Sequence, residues 1–302
     1  MVRVVAESLR IEPDTPFSLA AAAAFGFGPN TGRPKPEDGV MRLAFALDGF
    51  AGHAGVVVRQ DPEGALTVEV QGSDDRAGVE RQLRRVLSLD HPGAPWLEVG
   101  ERDPVIGRLQ AEHPGLRPVL FHSPYEGAAW SVISHRRHHR QAASVRTRLA
   151  EELGPSFTLA GELTVAFPLP QALAGLDSFA GLEPPRLARL RAVAEAALEG
   201  RLDPEHLQAM GPEAALAEVQ RLPGIGPFYA GLVVIRATGF ADVLPLSEPR
   251  VLAYVTRLYG LDEPPGGASF TALAEPWRPY RTWAVVLLRV AGDRAGWEVP
   301  RR

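Results

Sequence analysis

The sequence predicts a small α+β unit followed by a larger, mostly helical body. Three observations carry this. Between residues 41 and 70, short runs alternate apolar and polar side chains around Gly- and Pro-containing turns. Residues 74–89 then place apolar side chains three to four apart. Beyond Pro104 strand alternation gives way to long helical stretches separated by Gly and Pro.

Residues 41–47, 55–60 and 65–70 read as strands, joined by the turn signals Asp48-Gly49 and Asp61-Pro62-Glu63-Gly64. In residues 74–89, Val79, Leu83, Val86 and Leu87 share one helical face, which suits a helix covering one side of a small antiparallel sheet. The Gly/Pro-rich stretch 28–38 reads as an exposed loop. Candidate helices follow at residues 124–153, 186–199, 211–220, 227–238, 249–258 and 277–290, bounded by breakers such as Gly154-Pro155 and Pro264-Pro265-Gly266-Gly267. The expected division is an α+β domain at 1–110 and an all-α domain at 111–302. No internal repeat of fixed period is visible.

At 302 residues, 45% hydrophobic and 23% charged, the chain can bury a real core, which excludes collagen-like, disordered and disulfide-scaffold classes. Thirty-two basic residues stand against 36 acidic ones, so the net charge is −4 and any nucleic-acid partner must be met by local charge. The absence of cysteine removes disulfides, thiolate zinc sites, iron–sulfur clusters and cysteine nucleophiles together. Lys35 is the only lysine beside 31 arginines, so lysine nucleophiles drop out almost entirely; the bias itself reflects a GC-rich genome. Residues 1–7 include Glu7 and no secretory apolar run, and no stretch approaches eighteen apolar residues, so a soluble cytoplasmic protein is expected.

The most informative string is Leu222-Pro223-Gly224-Ile225-Gly226-Pro227-Phe228-Tyr229-Ala230, set between an amphipathic run and an apolar helix. Glycines let such a turn adopt backbone conformations closed to other residues and approach a partner closely. The second helix would present its N-terminal amides, a phosphate site, and Pro227 at its first position sacrifices no hydrogen bond. An ordinary helix–turn–helix corner is the alternative reading of the glycines alone.

With Ser123-Pro124-Tyr125-Glu126, Phe167-Pro168-Leu169-Pro170-Gln171-Ala172-Leu173 and Trp277-Arg278-Pro279-Tyr280-Arg281-Thr282-Trp283, this string resembles the helix-hairpin-helix DNA glycosylases, and within them the DNA-3-methyladenine glycosylase II group. The resemblance implies an all-α catalytic body of two subdomains behind an N-terminal unit like half of a TATA-binding fold. It implies a hairpin that grips duplex DNA, a wedge side chain that fills the gap left by a flipped nucleotide, and a downstream carboxylate that drives base excision. Breaking the sugar–base bond leaves positive charge on the sugar, which a buried carboxylate stabilises directly or by orienting water.

Carried over residue by residue, the position that is Lys in bifunctional relatives and Trp in the alkylation-specific enzyme is Phe228, which implies a monofunctional enzyme. The catalytic aspartate falls on Glu248, one methylene longer, with Asp242 as the nearest rival. A displacement of about 1 Å can cost roughly a hundredfold in rate. Without chemistry, Glu248 would be an acid in the first helical turn after Ser247. Arg137 sits at the wedge position, inside a run from Arg136 to Arg148 with five arginines and no acid. Expected DNA contacts are Pro223, Gly224, Ile225, Gly226, Tyr229, Arg136, Arg137, His138 and Arg140. His135 and His139 have metal-ligand spacing, with His138 adjacent and His122 a further imidazole, but no Glu or Cys completes a shell, so DNA-facing imidazoles are expected and no metal.

Two pocket aromatics of the alkylation-specific enzyme align with Arg289 and Val290, and a tyrosine aligns with Leu232. Base-pocket candidates are therefore Trp130, Phe228, Leu232, Trp283 and Arg289. The sequence reading is a monofunctional, monomeric DNA glycosylase of a bacterial cytoplasm and its nucleoid. It removes a damaged, alkylated base from double-stranded DNA, needs no cofactor and touches no membrane; a monovalent cation at the hairpin fits the family. Two rival readings are a DNA binder that has lost excision and a helical protein-interaction module.

Overall fold

The computed structural model describes residues 8–25, 39–246 and 248–297. The loop expected at 28–38 lies outside the described residues. The chain runs β1 (Ser8–Ile11), α1 (Leu19–Phe25), β2 (Val40–Ala46), β3 (His53–Gln60), β4 (Leu66–Gln71) and α2 (Arg76–Val86). Next come α3 (Ala94–Arg102), α4 (Pro104–Glu112), α5 (Pro124–Ser134), α6 (His139–Leu153), β5 (Ser156–Leu159) and β6 (Glu162–Val165). The remainder is helical: α7 (Pro170–Ala174), α8 (Pro184–Leu198), α9 (Pro204–Met210), α10 (Pro212–Gln220), α11 (Pro227–Ala237), α12 (Pro249–Leu258), α13 (Gly267–Leu273) and α14 (Arg281–Arg294).

The three expected strands form an antiparallel sheet of order β1-β4-β3-β2. Strand β1 adds an edge that the sequence reading did not anticipate. Its period-2 pattern covers only four residues, too short a run to stand out. Helix α2 starts at Asp75, whose carboxylate accepts from Gly78 N at 2.9 Å, and buries Val79, Leu83 and Val86 against the sheet core.

Side chains separate into three buried clusters. One joins the sheet to α2. A second lies among α5 to α11. The third joins Trp96, Val99, Ile106 and Leu109 of α3 and α4 to α12, α13 and α14, so the expected division near residue 110 is crossed by shared packing. The body is also not purely helical. Hairpin β5–β6 turns through Ala160 and Gly161, both at positive φ, the backbone pairing of tight hairpins. Its Phe157 ring lies against Gly55 and Gly72, where an added Cβ would fall 2.6 Å from ring carbons.

Two expected helices are redrawn. The stretch 124–153 is broken, with residues 135–138 forming a turn between α5 and α6. The last helix begins at Arg281, and Trp277 closes a separate 3-10 turn, because Pro279 cannot supply an interior helical N–H. Among the described residues no helix is long and apolar enough to cross a membrane.

The sheet unit is tied to the body by polar contacts. Arg85 of α2 holds Asp48 at 2.7 and 2.8 Å and donates to the carbonyls of Ala237 and His122 at 2.8 and 3.0 Å. Beneath this lies Glu126, buried in the first turn of α5, between His122 Nδ1 at 3.3 Å and Arg146 Nη2 at 2.9 Å. Burial pushes the Glu126 carboxyl up, but His122 and Arg146 more than offset it and bring it from 4.5 down to about 2.

Because the folded value lies below the unfolded one, the stabilisation is present above pH 4.5 and is lost as pH falls toward 2. Chemical denaturation at pH 7 and pH 3 should show a decline, about 2 kcal/mol of which disappears in Glu126→Gln. That variant should itself lose about 3–5 kcal/mol at pH 7, since it leaves Arg146 buried without its counter-charge. Equal pH slopes for the two proteins would disprove the assignment.

Candidate nucleic-acid interface and base cavity

Helices α10 and α11 form the hairpin. Leu222 and Ile225 are buried, and Ile225 N donates to Leu222 O at 3.1 Å, closing the turn from inside. Pro223, Gly224 and Gly226 face outward. Ile225 is thus a correction to the expected DNA contacts: its side chain anchors the turn in the core, and only its backbone lies near the surface. Gly224 has φ +85°, a conformation that requires glycine, and a Cβ there would meet the flexible end of Arg189, 2.7 Å from Cδ. No side chain caps the start of α11, where Gly226 and Pro227 lead into the helix. Its first amides are therefore presented where an anion can approach.

Beside the hairpin stands the α5–α6 turn. Arg186, on α8, donates from Nη1 to the carbonyls of Val132, Ile133 and His135 at 2.6, 3.2 and 3.0 Å. These are carbonyls that the end of α5 cannot satisfy itself. His138 Nδ1 accepts from Arg140 N at 3.3 Å and starts α6. Between them Arg136 adopts φ +51° and is exposed. The His135 ring lies 5.7 Å from that of Tyr229, joining turn to hairpin.

The five-arginine run is not one basic stripe. Arg137 is engaged by Glu183 at 2.9 and 3.0 Å, Arg146 by Glu126, and Arg148 by the carbonyl of Ala180. Arg136, His138, His139 and Arg140 form the exposed portion. The break in the helix also removes the shared face that the His135 and His139 spacing implied, and among the described residues no group of three or more metal-binding side chains is found.

On the other side of α11 is a cavity of about 300 Å³. Its walls come from Phe228, Leu232 and Ile235 of α11, the 243–246 loop, Glu248 and Val251 at the start of α12, and Val285, Val286 and Arg289 of α14. Glu248, Phe228, Leu232 and Arg289 all line this one cavity. Phe228 is 61% exposed, so it stands at the rim. Trp130 and Trp283 are corrections. Neither lines this cavity; Trp130 packs inside the α5–α11 cluster, and Trp283 stacks among Trp96 and Tyr280.

Glu248 is not inside the first turn of a helix but caps α12, Oε2 accepting from Val251 N at 2.7 Å. A carboxylate retains a second oxygen and further lone pairs beyond one such bond. Asp242, the rival acid, is taken by Arg278 at 2.8 Å and Arg281 at 2.7 Å and lies outside the cavity walls. Arg236, which sequence reasoning missed, lies behind the cavity, almost fully buried, its guanidinium donating to the carbonyl of Val119. Burial, and then Arg289, push its pKa down. Its position on an otherwise apolar helix was the available signal.

The hairpin, the adjoining turn and the enclosed carboxylate together have the fold of helix-hairpin-helix DNA glycosylases. A solved 3-methyladenine DNA-glycosylase from Archaeoglobus fulgidus matches with TM-score 0.77 at 24% identity, over 96% of this chain and 100% of that one. An 8-oxoguanine glycosylase/lyase from Clostridium acetobutylicum, solved with double-stranded DNA, matches with TM-score 0.68 at 14% identity, over 96% and 97%. Among curated relatives, a DNA-3-methyladenine glycosylase from Bacillus subtilis is 22% identical over 223 residues, covering 70% of this chain and 72% of its own length. A Mycobacterium tuberculosis protein named as a probable bifunctional transcriptional activator/DNA repair enzyme is 27% identical over 283 residues, 92% of this chain. The chain spans 55% of that relative's length. No protein-family model matches the chain.

Replacing Arg186 by Met keeps an apolar stem and removes the donors to the three α5 carbonyls. Stability should fall by about 1–3 kcal/mol, with faster hydrogen exchange at the amides of residues 135–142. Unchanged exchange there would show that the turn is held by other contacts.

Proposed function

We propose that this chain is a monofunctional DNA glycosylase that grips double-stranded DNA through the hairpin and the α5–α6 turn and extrudes a damaged, alkylated base. It draws that base into the cavity and hydrolyses its N-glycosidic bond. The observation that carries the reading is Glu248 on the wall of a small, largely apolar cavity abutting the hairpin helix. The volume is at the small end of ligand sites, and extrusion is the route by which enzymes reach a base that duplex stacking hides.

In this scheme the C1′–N bond breaks with its electron pair leaving on the alkylated base, whose positive charge is thereby discharged. The sugar carries the developing positive charge, and Glu248 faces it while a water adds its oxygen to C1′ and releases a proton to solvent. Phe228 at the hairpin position offers no amine, so no Schiff base forms there. The gap in the stack is entered from the α5–α6 turn, where Arg136 projects and Arg137 sits one residue on. Backbone carbonyls of the exposed residues 223–224 are the donor type a monovalent cation takes. The chain acts as a monomer on chromosomal DNA in a bacterial cytoplasm.

The second reading is a DNA binder that no longer excises. The observation favouring it is that one oxygen of Glu248 is already committed to the cap of α12. Glu248→Gln separates the two, because an amide oxygen still accepts the Val251 N–H while the charge is gone. Release of free bases from methylated duplex by this variant should fall on the order of a hundredfold or more, with duplex affinity and melting temperature unchanged. Salt-dependent binding by the wild type with no release would favour the non-excising reading.

The exposed arginines should contribute through phosphates. Arg140→Ala is expected to weaken binding evenly across duplex sequences and to reduce the slope of log affinity against log salt by about one. A slope equal to that of the wild type would remove Arg140 from the interface.

A further inference from the structure

We infer that Thr282 and Arg281, at the start of α14, are positioning residues for Glu248, because they hold the irregular segment 241–246 that leads to it. The inference rests on the glycosylase reading and adds the means by which the carboxylate keeps its place on the cavity wall.

Residues 241–246 lie between α11 and α12 in no helix or strand, so their backbone groups have no ladder to join. Among the described residues, every hydrogen bond they make runs to the short stretch 278–282. Thr282 N donates to Ala241 O at 2.8 Å. The Thr282 hydroxyl accepts from Val243 N at 2.9 Å and donates to Val243 O at 3.0 Å, taking both backbone groups of one residue as a neighbouring strand would. Between these points Arg281 grips Asp242, with Nε 2.7 Å from Oδ1 and Nη2 2.9 Å from the carbonyl and 3.0 Å from Oδ2. Arg278 adds a bond to Oδ2 at 2.8 Å.

The hold is reciprocal. The side chain of Tyr280 does not cap α14, and the first two amides of that helix are met instead by Asp242 Oδ1, at 3.3 Å, and by Ala241 O. Helix and segment therefore fix each other, and both line the cavity with Glu248. Thr282 is 2% exposed and its one hydroxyl proton is committed to Val243 O, so it has no donor left for a base and acts through the segment.

Packing of Val251 keeps α12 against α14, but apolar contact has no direction of its own. The clamp sets the direction from which the chain enters α12, and so where Glu248, the residue that starts that helix, is aimed. A valine at 282 has the shape of threonine without the hydroxyl. It leaves the N–H and C=O of Val243 without their partner, a cost the segment relieves by shifting. A shift of about 1 Å at a reacting group costs roughly a hundredfold in rate.

The test is single-turnover release of bases from a methylated duplex by the full chain at saturating enzyme, beside affinity for a duplex carrying an abasic-site analogue. Wild type, Thr282→Val, Thr282→Ser and Arg281→Met are compared, and Thr282→Val is also placed on Glu248→Gln. Thr282→Val should slow release on the order of ten- to a hundredfold with duplex affinity unchanged, and Arg281→Met should slow it in the same direction. Thr282→Ser keeps the hydroxyl and should stay within about threefold of the wild type. On Glu248→Gln the further loss caused by Thr282→Val should shrink below about threefold, since the two residues act through one group.

Rates unchanged in both Thr282→Val and Arg281→Met overturn the inference and leave the glycosylase reading standing. So does a loss in Thr282→Ser equal to that in Thr282→Val, or an equal fold-loss with and without the Glu248 charge. If Thr282→Val does not bind the abasic-analogue duplex, Arg281→Met and Thr282→Ser decide; if Glu248→Gln releases bases no faster than their spontaneous loss, the comparison of valine with serine decides. Release of no base by the wild type overturns the glycosylase reading and this one with it.

Discussion

Everything that faces outward between α5 and α6 depends on how α5 is allowed to stop. Its final carbonyls have no helical partner, and the guanidinium of Arg186 takes three of them at once. The chain then turns within four residues, and the imidazole of His138 starts α6. That single arrangement sets His135 against Tyr229 and brings the turn alongside the hairpin. Were α5 to run on into α6, the exposed basic residues would be spread along a rod instead of gathered in one turn.

The same economy governs the cavity. Helix α11 supplies its apolar wall with one face and carries the open amides of the hairpin at its start. Helix α12 delivers a carboxylate because its first residue needs a cap acceptor. The open amides and the carboxylate are therefore both placed by the starts of helices. The Glu248 side chain is held by the N–H of Val251, which donates to its Oε2 at 2.7 Å.

Local pattern made much of this legible. The β2, β3 and β4 strands alternate cleanly, and the glycine string marked α10 and α11 to within a residue or two. Glu248 and Arg289 were reached only through the resemblance, the one by its spacing from the hairpin aromatic and the other by its place in the last helix. Other features were hidden because their causes lie far away in sequence. Nothing between His135 and His138 breaks a helix; the break is made by Arg186, fifty residues on. Arg146 reads as part of a basic run until Glu126 is seen beside it. Trp130 and Trp283 have the composition of pocket walls, and only packing shows that they belong to the core. The β5–β6 hairpin did leave a local trace, in the alternation of residues 156–165 around Ala160-Gly161, which the helical surroundings obscured.

The third buried cluster bears on how the chain is made. Trp96, Val99, Ile106 and Leu109 find their partners in α12, α13 and α14, well over a hundred residues later. During synthesis from the N-terminus these side chains emerge long before anything exists to cover them. The helical middle can condense on its own, since its contacts are closer in sequence, while α3 and α4 wait with apolar faces open to solvent. Maturation of this molecule is thus a closing of the chain's two flanks onto one another, and its most vulnerable interval is the time needed to translate from α4 to α14.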